Sequence, residues 1–266
     1  TRLPEHIWFT EEARAHDTNF FEQIIALSQE RMLWIFDRGF YDFKFFAQVI
    51  HAGAAFITRI KSNAVYQVVD VLLDTEQVRD RIIWLGGPQK QGEYRLRLIE
   101  VRFKTQWYSY LTSVLDPTVL PPEAIADLYR RRWRIEESFL IVKRLLGLSY
   151  LWTGSVNGVL LQVWATWLFF AVLVDMGDAV AEELMVPFDR ISLEMVFRGL
   201  YHFMQAQRKG QATDPIAYLA APENRDLRVL KQIRKESGTK RKSYADPAFD
   251  LDAMCRELDE NPELYY

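Results

Sequence analysis

Cysteine is almost absent: the 266 residues contain one, Cys255, so no internal disulfide can form and a disulfide-stapled secreted scaffold is excluded. Histidine is scarce too. His6, His16, His51 and His202 show none of the short fixed spacings of zinc ligands, and no zinc site is expected. The first ten residues carry Arg2, Glu5 and His6 and lack the uninterrupted apolar run of a signal peptide, so a cytoplasmic location is the expectation. One long hydrophobic run exists, 159–174, interrupted by Gln162 and Thr166. At about 24 Å as a helix it is short for a hydrocarbon core of about 30 Å, and it reads as a buried helix with no membrane partner. Fixed-period repeats and low-complexity tracts are missing, which excludes solenoids and fibres.

A basic surplus is missing as well, since 33 Lys and Arg face 36 Asp and Glu for a net charge of -3. Taken alone, that balance speaks against nucleic acid. The charge is unevenly spread, however. Past Ser243, seven acids face only Arg256, so the residues up to 242 are net basic, and the stretch 224–242 alone holds eight Lys or Arg. Such blocks read as a loosely held tail, basic and then acidic, over 223–266.

What is present is an ordinary globular composition, 49% hydrophobic and 26% charged. Apolar residues at helical spacing follow Asp17, which reads as an N-cap. The run 32–36 ends abruptly at Asp37-Arg38-Gly39, as a buried strand with a carboxylate at its carboxyl tip, where open α/β sheets build sites. A helix over 43–51 and a strand over 54–60, ending in Arg59 and Lys61, come next. Short runs at 65–69, 81–85, 94–103 and 107–115, separated by turn residues, read as strands. Strict alternation over 94–98 places Arg95 and Arg97 on one face of a half-exposed sheet. From Pro121-Pro122 one long helix is expected to about Gly147, followed by helices over 155–184, 191–207 and 215–221.

The long helix carries the informative pattern. At 100° per residue, Tyr129, Arg132, Glu136 and Lys143 fall within an arc of roughly 60°, beside an apolar stripe of Leu128, Ile135, Phe139, Val142 and Leu146. An acid between cations at helical spacing is usually an ion-pair ladder worth a few tenths of a kcal/mol per pair. The alternative is a metal-binding carboxylate beside groups that hold successive phosphates.

Tyr129, two residues, Arg132, three residues, Glu136, six residues, Lys143 matches the signature of insertion-sequence-4 family transposases, a branch of the DDE transposases. The surrounding Leu-Tyr-Arg-Arg-Arg-Trp-Arg-Ile-Glu-Glu-Ser-Phe and the block Leu33-Trp34-Ile35-Phe36-Asp37-Arg38-Gly39 resemble that family too. The resemblance implies an α/β fold with a ribonuclease H-like mixed sheet and flanking helices. It places a catalytic core at 1–150 with a β-rich insertion at about 64–115, then a helical part at 151–222. It implies DNA transposition by strand cleavage and strand transfer, two Mg²⁺ ions (Mn²⁺ as substitute) held by Asp37 and Glu136, and Tyr129, Arg132 and Lys143 on DNA phosphates. The partners it implies are double-stranded DNA, as transposon ends and target, and a second copy in a synaptic dimer.

The family also uses an earlier Asp on the first strand. Only Asp17 precedes Asp37, on a segment that reads as helical, so an N-terminal truncation and impaired catalysis are expected. A non-catalytic remnant serving DNA binding and dimerisation is the alternative, and a nuclease on the same fold is a third reading. Arg130, Arg131 and Arg134 contact flanking phosphates or are solvated. Glu137 reads as solvated, Arg59 and Lys61 as candidates for phosphate, and Trp84 or Trp107 as core residues or as stacking platforms for a base.

Overall fold

A computed structural model describes residues 3–10, 12, 14–87 and 90–231. The expected tail therefore lies, from residue 232 on, outside the described residues. Two compact units divide the chain, one spanning Pro4–Trp133 and the other running from Arg134 onward. The boundary falls inside what the sequence predicts as a single helix.

The first unit is built on one six-stranded sheet in the order β1-β2-β6-β5-β4-β3. Its strands are β1 (Leu33–Ile35), β2 (Ala55–Arg59), β3 (Tyr66–Asp74), β4 (Val78–Gly87), β5 (Lys90–Phe103) and β6 (Gln106–Thr112). β1 and β2 are parallel, with Leu33 opposite Ala55 and Ile35 opposite Ile57, and every other pairing is antiparallel. The sheet is thus mixed, as expected, and the strand-rich segment at 64–115 contributes four of its six strands. β6 pairs directly with β2, so the meander β3-β4-β5-β6 continues the same sheet.

Helix α1 (Phe21–Leu27) and helix α2 (Phe43–His51) precede and join the parallel pair. α2 starts where it does because the Asp42 carboxylate accepts the Phe45 N–H at 2.8 Å, a cap that satisfies one of the helix's orphan donors. Its buried residues Phe45, Phe46 and Val49 cover one face of the sheet, packed with Ile24, Phe36, Phe56, Leu96, Leu98 and Leu111. On the opposite face helix α3 (Pro122–Arg131), opened by Pro122 in its first turn, packs Ile125 and Tyr129 onto Ile57, Ile99 and Tyr110.

Because side chains alternate along a strand, β5 sends Leu96 and Leu98 to the α2 face and Arg97 and Ile99 to the α3 face. Both faces are covered there, and Arg97 is fully buried, not half-exposed as the alternation suggests. Its guanidinium forms a bidentate pair with Asp80 on β4, Nε to Oδ1 at 2.7 Å, and its Nη1 donates to the Leu120 carbonyl at 2.7 Å. One buried cation thereby ties two strands to the segment that starts α3.

The second unit holds α4 (Arg134–Leu140), a wide turn over Ile141–Leu145, α5 (Val156–Glu183), α6 (Leu193–Arg208) and α7 (Pro215–Ala220). Side-chain caps start three of these helices: Ser155 accepts from the Gly158 N–H, Ser192 from Met195, and Asp214 from Ile216 and Ala217. At Gly177 a Cβ would stand 2.5 Å from Leu193 Cδ2, so the missing side chain is what lets α5 and α6 approach. α5 has the length and composition of a membrane span. It buries Phe170, Leu173, Gly177 and Val180 within its own unit, yet Leu161 and Leu168 are about 70% exposed, at 71% and 69%. The expectation of a buried helix is corrected accordingly: it is buried on one side only.

Candidate active site

Strand β1 delivers Asp37 where the sequence places it, just past the strand's carboxyl end beside parallel β2. The pairing is extended by Phe36, whose N–H donates to the Ile57 carbonyl at 2.9 Å. Asp37 is held at both ends: its Oδ1 accepts the Gly39 N–H at 2.7 Å, and its carbonyl accepts the hydroxyl of fully buried Thr58 at 3.2 Å. Gly39 leaves room for that carboxylate: a Cβ there would lie 3.0 Å from Asp37 Oδ1, a tight contact, and 3.7 Å from Asp17 Oδ2. Further along β2, Thr112 and Ser113 latch β6 to it through the Phe56 carbonyl and N–H, at 2.6 and 3.1 Å.

Asp17 is therefore a residue whose place the sequence reading misses. It caps no helix: it is the first residue of a short 3-10 turn over Asp17–Phe20, and His16 holds the cap position. Its carboxyl is raised above the ordinary carboxylate range, first by partial burial and then by the Asp37 charge, with His16 acting the other way. No spacing in the sequence pairs two acids twenty residues apart, so no local signal could have found it. A raised carboxyl pKa makes the ionised form the costly one, and that cost is present at neutral pH and vanishes as pH falls through the raised value. Asp17→Asn is therefore expected to raise Tm slightly at pH 7 and to leave it unchanged once wild-type Asp17 is protonated. A lower Tm at pH 7, measured by thermal melts across pH, would contradict this.

The cations come from the other side of the sheet. Tyr129 on α3 is 4% exposed, and its ring lies 5.3 Å from that of Tyr110, which stands directly opposite Arg59 in the β2–β6 register. The Arg132 guanidinium lies 5.7 Å from the Tyr129 ring and 4.7 Å from that of Trp133. Burial pushes the Tyr129 hydroxyl pKa up, Arg132, Arg59 and Arg38 pull it back, and Asp37 adds to the rise. Asp37, Tyr129 and Arg132 thus share one neighbourhood with Arg59, which the sequence offers for phosphate, and Arg38, which it does not. Lys61 is set over the Tyr41 ring at 5.0 Å, and burial pushes the Tyr41 hydroxyl up to about 12.

Glu136 and Lys143 belong to the second unit and are described there. The continuous helix expected from Pro121 to Gly147 is not observed. The Arg132 and Trp133 N–H groups bond to carbonyls three residues back, Tyr129 at 3.0 Å and Arg130 at 3.2 Å, which tightens and interrupts the helix. Glu136 then lies in the first turn of α4, while Lys143 falls in the wide turn Ile141–Leu145, where bonds span five residues, as from the Leu146 N–H to the Ile141 carbonyl at 2.9 Å. A wheel at 100° per residue cannot be carried across both irregularities, so the single 60° arc does not exist as drawn. The apolar stripe changes likewise: Ile135 and Phe139 are exposed, whereas Tyr129, Trp133, Ser138 and Val142 are buried.

Other residues fall as follows. Arg130 and Arg131 both hold Asp127, each at 2.7 Å, and hydrogen bonding from Arg130 leads the effects that lower the Asp127 pKa. Arg134 pairs with Asp189 at 3.4 Å, and Glu137 is exposed. Lys143 Nζ sits 5.8 Å from the Phe139 ring. Trp84 and Trp107 are half-buried, the latter under the Arg79 guanidinium at 4.4 Å.

Among the described residues no three His, Cys, Asp or Glu side chains converge as a metal cluster. Asp37 nonetheless fits a hard cation chemically. Its Oδ1 is taken by the Gly39 N–H, which leaves Oδ2 as a carboxylate oxygen of the kind Mg²⁺ and Mn²⁺ prefer.

A family profile described as "Transposase DDE domain" matches residues 1–171. The Sinorhizobium fredii protein named "Putative transposase y4zB" is 27% identical over 152 residues, which cover 53% of this chain and 41% of that relative. The chain thus matches less than half of the relative's length.

Proposed function

We propose, from the premise that this chain belongs to the family of transposase DDE domains, that it is an insertion-sequence-4 type DNA transposase on a ribonuclease H-like core. Its carboxylates Asp37 and Glu136 would hold the divalent ions of strand cleavage and strand transfer. The observation that supports this reading is that one fixed carboxylate, Asp37, and three guanidinium groups, those of Arg132, Arg59 and Arg38, all lie close enough to the buried Tyr129 hydroxyl for their charges to act on it.

The pattern suits phosphodiester chemistry, in which a protein positions the backbone and neutralises charge. Arg132, Tyr129 and Lys143 hold phosphates on either side of the scissile bond, and Arg59 and Arg38 add positive field where negative charge grows on the phosphorus. The Gly39 N–H and the Thr58 hydroxyl keep Asp37 from turning away. Asp37 and Glu136 would hold two Mg²⁺ ions, or Mn²⁺ in their place, which would supply activation of the attacking oxygen and stabilisation of the leaving one. In cleavage, water oxygen forms the new bond to phosphorus as the bond to the 3′ oxygen breaks, releasing a 3′-hydroxyl. In transfer, that hydroxyl attacks a phosphodiester of the target. The partners are duplex DNA ends and target, paired by a second copy of the chain in the cytoplasm.

Duplex binding by the full-length protein tests the phosphate assignment. Arg132→Ala is expected to weaken binding about tenfold and to flatten the slope of log affinity against log salt by about 0.9, the signature of one lost phosphate contact. Unchanged affinity and slope would remove Arg132 from the DNA path.

A further inference from the structure

Helix α5 has two apolar faces, and its own unit covers one of them. Along the other, Leu161, Ala165, Leu168 and Val172 follow one another in steps of four, three and four residues, the spacing by which one helix presents a seam to another. All four are exposed, Leu161 and Leu168 by more than two thirds. The loop before the helix adds to this surface. Buried Gln162 fixes that loop, its Nε2 donating to the Tyr150 carbonyl at 2.6 Å and its Oε1 accepting the Trp152 N–H at 3.0 Å, and Tyr150 and Trp152 are left 79% and 81% exposed. With Leu161, Leu168 and Val172 they leave on the order of 700 Å² of apolar surface in water, close to the about 800 Å² that each partner brings to a standard interface.

The charges of α5 select the occupant. No Lys or Arg lies between Val156 and Glu183, and the acids Asp175, Asp178, Glu182 and Glu183 all fall towards the carboxyl end. That end of a helix is already negative, so acids there are unfavourable. An antiparallel second copy relieves the conflict. Setting Leu161 against Val172 of the second copy, and Ala165 against its Leu168, interleaves small and large side chains along the seam. The same register brings Asp175 opposite Gly158 and Asp178 opposite Ser155, at the positive amino end of the other α5. A parallel pair would set Asp175 against Asp175. A bilayer suits a helix that is apolar and free all round, whereas α5 buries Phe170, Leu173 and Val180 within its own unit.

We propose that α5 is a self-association surface through which two copies of the chain pair antiparallel. Leu161, Ala165, Leu168 and Val172 interleave with their counterparts, and Asp175 of each copy sits at the start of the other copy's α5. The second copy invoked for pairing DNA ends thereby gains a surface. The contact needs neither DNA nor a carboxylate of the proposed active site, so it stands or falls apart from the reading of the chain as a transposase.

The test is sedimentation equilibrium of the full-length protein without DNA, comparing wild type, Leu168→Glu and Asp175→Lys. Wild type is expected to be a dimer at micromolar concentration. Leu168→Glu is expected to be a monomer, because each copy would bury an unpaired carboxylate in the seam. Asp175→Lys is expected to weaken the dimer about tenfold, since symmetry reverses two contacts with a helix start. Circular dichroism at low concentration checks the fold: both positions are exposed, and a cation suits the carboxyl end of α5, so neither variant is expected to melt below wild type. If Leu168→Glu melts early, Leu161→Gln on the same seam is expected to weaken the dimer in its place. A monomeric wild type overturns the proposal, and so does a dimer untouched by the seam variants. An Asp175→Lys dimer tighter than wild type overturns the antiparallel pairing. Flotation of wild type with phosphatidylcholine vesicles would give the face to a bilayer and overturn the proposal as well.

Discussion

Asp80→Ala is expected to cost about 3–5 kcal/mol of stability, enough to unfold much of the first unit, because it strands the Arg97 guanidinium in a fully enclosed site. The whole margin of a domain is about 5–15 kcal/mol, so the effect is large on that scale. The pair itself is a different matter. Two charges removed from water lose hydration that their attraction only partly restores, and a buried pair replaced by apolar residues of like volume is often neutral. Asp80→Leu combined with Arg97→Met is therefore expected to recover most of the loss, short of the hydrogen bond to the Leu120 carbonyl. Urea unfolding of the three proteins checks this. A single-variant loss under about 1 kcal/mol would show that the site admits water.

The second large effect concerns chemistry. Asp37→Asn and Glu136→Gln are each expected to reduce DNA strand cleavage by roughly three orders of magnitude or more, since a metal-held carboxylate supports several kcal/mol of transition-state stabilisation and each 1.36 kcal/mol is tenfold. The replacements isolate that role. An asparagine at 37 retains an oxygen that accepts the Gly39 N–H, so the turn Asp37-Arg38-Gly39 keeps its form while the charge is gone. Glu136 lies in the first turn of α4, where glutamine is tolerated about as well as glutamate. Duplex binding, which depends on the cations, is expected to survive both changes.

Strand tips and helix starts were legible in the sequence because their signals are local. The run at 32–36 followed by Asp37 yields β1 and its terminal acid, and the helices expected over 43–51, 155–184 and 215–221 begin within a residue of their expected starts, behind the caps Asp42, Ser155 and Asp214 that the structure adds. The readings that failed depended on contacts between distant segments. Nothing near Arg97 in sequence announces Asp80 or the covering α3, so an alternating strand reads as half-exposed when both its faces are covered. Asp17 and Asp37 meet only because the 3-10 turn Asp17–Phe20 packs against the turn Arg38–Phe40, and twenty residues of separation carry no pattern. The Tyr129-to-Lys143 helix looked regular because a helical wheel assumes a constant pitch. The i−3 bonds at Arg132 and Trp133 and the i−5 bond from Leu146 to Ile141 break that pitch, and no period in the sequence reveals them. Asp37, Tyr129 and Arg132 lie in one neighbourhood, and Arg38 and Asp17, which the motif does not include, lie there too.

We propose that Asp37 and Glu136 serve metal-dependent DNA strand cleavage. The direct measurement is release of a 3′-hydroxyl end from duplex DNA carrying the sequences on either side of the gene, by the full-length protein with and without Mg²⁺. Wild-type protein is expected to cleave only with the metal, and Asp37→Asn and Glu136→Gln are expected to bind the same duplex without cleaving it. Cleavage at wild-type rate by either variant would contradict the claim. A wild-type protein that binds the ends and never cleaves them would show a DNA-binding module in place of an enzyme.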